Sequence, residues 1–109
     1  MKLLNGAWNF KDENFGPLLP YVQDPQITDV NYNGSDVWVE HLEKGIYKAD
    51  VELTQEFVNQ FCVRIANLMS RQFNRNENVL EAETDTLRIS IIHKDVTDTG
   101  CSISIRKTP

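Results

Sequence analysis

Residues 87–107, LRISIIHKDVTDTGCSISIRK, decide the fold. Two alternating segments, Leu87–His93 and Cys101–Lys107, flank a polar connection that ends in Gly100. Alternation with a period of two sends successive side chains to opposite faces of a strand. Leu87, Ile89 and Ile91 therefore share one face, and Cys101, Ile103 and Ile105 form the matching apolar set. Arg88 and Ser90 face the other way, with Ser102, Ser104 and Arg106. If 94–100 is the hairpin loop, His93 pairs with Cys101 and Arg88 lies directly across from Arg106. A slip of one residue would mix the apolar and polar faces. Like charges directly opposite on a sheet are destabilising. The arginine pair is therefore either balanced by acidic neighbours, with Glu81 and Glu83 at hand, or is a site that waits for an anion.

Working outward, 54–73 reads as a long helix. Phe57, Val58, Phe61, Cys62, Ile65, Leu68, Met69 and Phe73 recur at steps of three and four and make one apolar face. Thr54 is placed to cap it, Glu56 sits in its positive first turn, and Leu53 with Val58 has the spacing of a hydrophobic staple. Polar residues 74–78 end it. Before the helix, ITDVNY (27–32) and VWVEHL (37–42) alternate as strands around the Asn33-Gly34 turn signal. Glu43-Lys44-Gly45 then makes a tight connection to a third strand over 46–51, and 79–83 is a further short strand. FGPLLPYV (15–22) reads as a short helix that must stop at Asp24-Pro25, because the residue before proline avoids the helical region. The sum is an α+β domain: a mostly antiparallel sheet of about six strands, covered by one long helix plus a short N-terminal helix. Residues 1–14, without period, are expected to be an N-terminal arm, and 15–109 the domain.

Composition narrows the function. A chain of 109 residues supports one core and is short for an enzyme that binds and cleaves a nucleotide. Its net charge of −5 makes general nucleic-acid binding a poor fit. Hydrophobic residues at 40% and charged residues at 25% describe an ordinary globular chain. No apolar run approaches the roughly 18–20 residues of a membrane span, and no signal peptide is visible, so a cytoplasmic location is expected. The two cysteines lack the spacing of a disulfide framework or a metal motif.

Catalytic signatures are missing. The sequence has no GxxxxGK[ST] phosphate loop, no GxGxxG, no GxSxG, no HExxH and no CxxC. His41 and His93 stand alone, where a metal site needs three or four converging ligands. Cys62 and Cys101 fall on apolar faces and read as buried free thiols. Glu81, Glu83 and Asp85 would share a strand face and read as a solvated edge. A small enzyme built on Glu81, Glu83 or His93 cannot be assembled from these pieces.

The ordered residues Asp24, Pro25, Ile27, Thr28, Asp29, Val30, Asn33, Gly34, Val37, Val39, Glu40 and Gly45, then Gly100, Ser104, Ile105, Arg106 and Lys107, carry a resemblance. Over 15–109 the chain resembles the PAS-like N-terminal domain of secretion traffic ATPases, the hexameric motors of type II and type IV secretion, conjugation and tight-adherence pili. Asn78-Val79 and Asp85-Thr86 depart from that family's usual Pro and Asp-Gly. The resemblance implies a regulatory and oligomerisation domain whose RecA-like catalytic domain, with its phosphate loop, lies outside this chain. ATP and Mg2+ are then expected for the parent protein, with no cofactor held by this chain. The implied partners are the parent's own C-terminal ATPase domain, further copies in a ring, and inner-membrane secretion proteins at the cytoplasmic face. It further implies that Arg88 and Arg106 approach the nucleotide phosphates, with Arg71 and Arg75 as weaker candidates. A different class remains open: a stand-alone PAS-like interaction domain with no nucleotide role, contacting a partner through its sheet face or through Trp8, Trp38 and Phe10.

Overall fold

The computed structural model describes residues 2–3, 12–68, 79–83, 86–92 and 101–107. Its elements run β1 (Lys2–Leu3), a 3-10 segment (Asp12–Leu18) continuing into α1 (Leu19–Gln23), β2 (Ile27–Tyr32), β3 (Val37–His41), β4 (Gly45–Lys48), α2 (Gln55–Leu68), β5 (Val79–Glu83), β6 (Leu87–Ile92) and β7 (Ser102–Lys107). All strands join one sheet in the order β1-β5-β6-β7-β2-β3-β4. Six of them form the expected antiparallel sheet. Lys2–Leu3, in the stretch read as an arm, adds a two-residue parallel edge along β5.

The register of the deciding hairpin is the one its alternation requires. Arg88 pairs with Arg106, Ile89 with Ile105 and Ile91 with Ile103. The isoleucines are buried while Arg88 and Arg106 are exposed. The pairing of β7 with β2 is non-local and sets Arg106 against Asp29, Ile105 against Val30 and Ser104 against Asn31. One sheet face is thus apolar throughout: Val30, Val37, Val39, Leu80, Ala82, Ile89, Ile91, Ile103 and Ile105 are all buried.

Helix α2 belongs to the core that covers that face, contributing Val58, Phe61, Cys62, Ile65 and Ala66. Thr54 caps the helix, its Oγ1 accepting from the Phe57 N–H at 3.0 Å. Beside it, Phe15 and Leu18 of the 3-10 segment enter the same core, with the Phe15 and Phe61 ring centroids 6.1 Å apart. Arg64 Nη1 donates to Asn14 Oδ1 at 2.9 Å and ties α2 to the 3-10 segment at the surface. Asp24 ends α1 with extended backbone (ψ 116°), as the following proline demands. Lys107 Nζ donates to the carbonyls of Tyr21 and Asp24 and so joins the end of β7 to the end of α1. Burial lowers the Lys107 ammonium below its ordinary pKa, and the nearby Asp24 opposes that shift.

Gly16 and Gly45 are two of the three glycines among the described residues that take positive φ. At Gly16 the backbone has φ 53° and ψ −129°, and an added Cβ would stand 2.6 Å from the Phe57 ring. Gly16→Ala is expected to destabilise the domain by about 1–3 kcal/mol through that strain and clash, read as a lower urea midpoint. Gly45 (φ 75°) starts β4 after the tight connection, where nothing crowds its Cβ position. An alanine there would meet only the backbone penalty.

Candidate functional site

The sheet face turned away from the α2-covered core is polar, and its side chains line up in rows across the strands. One row reads Glu83, Arg88, Arg106, Asp29, Glu40 from β5 through β6, β7 and β2 to β3. The next reads Glu81, Ser90, Ser104, Asn31, Trp38. The rows lie two residues apart along each strand, which is about 7 Å.

Arg88 and Arg106 are brought together, as the hairpin register requires. Each also holds a carboxylate. Arg88 Nη2 lies 3.6 Å from Glu83 Oε1, and Arg106 Nε donates to Asp29 Oδ2 at 3.0 Å. Glu83 is thus the acidic neighbour foreseen for Arg88, whereas Asp29 follows from the non-local β2–β7 pairing. The flanking carboxylates offset the repulsion of the central pair. The arginine side chains remain 45% and 67% exposed, so these pairs contribute about 0–1 kcal/mol each. Exposed, weakly held guanidiniums side by side can bind an oxyanion bidentately.

A shallow groove of about 230 Å³ opens in the neighbouring row and is lined by Asn31, Trp38, Ser90, Ile92, Ser102 and Ser104 among others. Ser104 Oγ donates to Asn31 Oδ1 at 2.8 Å, fixing that amide in the groove.

The other candidates have structural places. His41 is buried, and its Nδ1 accepts from the Glu43 and Lys44 N–H groups at 3.1 and 3.2 Å, so the ring braces the β3–β4 turn. Cys62 and Cys101 are buried free thiols within hydrogen-bonding reach of each other. That hydrogen bond, followed by burial, pushes the Cys62 thiol far up, away from nucleophilic chemistry. Burial likewise raises Tyr32, against a hydrogen bond with Gln55 that lowers it. Glu81 takes its place in the groove's row. Arg71, Arg75, Asp85, His93, Trp8 and Phe10 lie outside the described residues. Among the described residues no group of three His, Cys, Asp or Glu could hold a metal ion, and no helix is long and apolar enough to cross a membrane.

No family model matches the chain. The uncharacterized protein pXO2-25 of Bacillus anthracis is 27% identical over 84 residues, which are 75% of this chain and 19% of that protein. The VirB11 ATPase of the Brucella suis type IV secretion system, solved in complex with sulphate, superposes with a TM-score of 0.78 at 26% identity. That match covers 88% of this chain and 30% of the VirB11 chain. The chain therefore spans about a fifth of the curated relative and under a third of the solved ATPase. In fold and in sequence it is similar to part of a type IV secretion ATPase, and the resemblance to the N-terminal domain of secretion ATPases read from its residues holds in three dimensions.

Proposed function

We propose that this chain is the N-terminal regulatory and oligomerisation domain of a hexameric secretion or conjugation ATPase. The VirB11 match over 88% of the chain carries this reading. In the parent protein the open sheet face covers the nucleotide bound to a RecA-like catalytic domain. Arg88 and Arg106 contact its phosphates there, and Arg71 and Arg75 are secondary candidates for the same role. ATP and Mg2+ belong to the catalytic domain, and this chain alone does not hydrolyse ATP. Ring assembly at the cytoplasmic face of the membrane, through secretion proteins, couples closure of the domain to protein or DNA secretion or to pilus assembly. The physical support is the arginine pair, because two placed charges suffice for a phosphate site in a chain whose net charge is −5.

One observation favours the second reading, a stand-alone interaction domain. Trp38, Leu42 and Ile46, exposed to 39%, 67% and 69%, all lie on the β3–β4 hairpin. The coding sequence past codon 109 separates the two. A phosphate-loop motif downstream is the expected finding. A native stop codon at that point would favour the interaction domain and remove the nucleotide role.

A further inference from the structure

The arginines of the proposed phosphate site are already engaged, and by groups on opposite flanks. Arg88 leans to Glu83 on β5, and Arg106 leans to Asp29 on β2, although the two arginines are direct neighbours on β6 and β7. We propose that Glu83 and Asp29 form a carboxylate latch on this anion site: they balance both guanidiniums, and an incoming phosphate group must compete with them. The proposal rests on the phosphate reading of Arg88 and Arg106 and adds to it two residues that tune the site.

The chemistry follows from the row. Two cations and two carboxylates stand in the order minus, plus, plus, minus, so the four charges sum to zero until an anion arrives. A singly charged anion gains little over the resident carboxylates. A multiply charged phosphate can use several N–H donors on both guanidiniums at once and displaces them. Exposure permits the exchange, since the Arg88 and Arg106 side chains are 45% and 67% exposed while those of Glu83 and Asp29 are 29% and 15% exposed. The latch thus selects for dense negative charge and keeps the like-charge pair tolerable in its absence.

Glu40 supplies the control. It lies in the same row one strand beyond Asp29 and holds no ion pair with either arginine. Glu40→Gln therefore changes the net charge as much as Asp29→Asn does, without touching the latch.

The test is pyrophosphate binding to the 109-residue chain, followed by NMR titration at low ionic strength, with a thermal melt of every variant to confirm folding. Asn and Gln keep an oxygen that can accept from the guanidinium, so charge is removed while shape is kept. Asp29→Asn and Glu83→Gln are each expected to tighten binding about two- to fivefold, and the double variant about tenfold. Glu40→Gln is expected to change it by less than about twofold, and Arg88→Ala and Arg106→Ala to weaken it. Unchanged or weaker binding in Asp29→Asn and Glu83→Gln overturns the latch, as does equal tightening by Glu40→Gln. If even the double variant binds no pyrophosphate the latch is also overturned, whereas the phosphate reading is judged separately, by turnover of the arginine variants in the parent ATPase.

Discussion

In the parent ATPase proposed above, Arg88→Ala and Arg106→Ala are each expected to lower nucleotide turnover about a hundredfold or more, while the domain stays folded. The size follows from what a guanidinium does at a transferring phosphate. Charge spreads over the phosphoryl oxygens in the transition state, and a preorganised donor lost from such a site costs about 10²–10³ in rate. The stability cost should be small, because both side chains are exposed and their ion pairs with Glu83 and Asp29 are of the surface kind. Deleting either arginine also relieves the like-charge contact across β6 and β7. Steady-state phosphate release and a thermal melt on the same samples separate the two effects. Arg→Lys at either position should recover only part of the rate, since an ammonium cannot present the planar fork. Unchanged turnover in both alanine variants would remove the arginines from the mechanism and leave the fold assignment standing.

The second large effect is on stability. Phe61 is fully buried where α2 meets the 3-10 segment, between Phe15 at 6.1 Å and Phe57 at 5.9 Å. Phe61→Ala removes that ring from the core and leaves a cavity that the surrounding rings and strands can only partly fill. The expected loss is about 3–5 kcal/mol. Against a typical total of about 5–15 kcal/mol, this brings the domain near its unfolding threshold. Val63, on the same helix but 55% exposed, gives the comparison: Val63→Ala should stay within about 0.5 kcal/mol. Urea titrations of the two variants measure the contrast directly. Equal losses would mean that α2 does not cover the sheet as described.

What was legible in the chain divides along local and non-local lines. The hairpin of β6 and β7 could be read with its register, because a one-residue shift would have buried arginine and exposed isoleucine. Helix α2 was legible from its apolar stripe and its threonine cap, and α1 from the proline that ends it. The two-residue strand at Lys2–Leu3 was not, since two residues carry no period. Nor was the partner of Arg106. Asp29 figured only as one residue of a motif, because the pairing of β2 with β7 joins segments more than 70 residues apart and no local pattern announces it. The role of Lys107 on the α1 carbonyls was hidden for the same reason. The groove along Asn31, Trp38, Ser90 and Ser104 likewise exists only once four strands are set side by side. His41 stands alone in the sequence, and its bracing of the β3–β4 turn emerges only from the fold.

The most direct measurement is a structure of the parent ATPase with a non-hydrolysable nucleotide bound. The expected result places guanidinium nitrogens of Arg88 and Arg106 about 2.7–2.9 Å from phosphate oxygens, drawn off Glu83 and Asp29. Phosphates held by other elements, with both arginines still on their carboxylates, would contradict the assignment of this sheet face to the nucleotide.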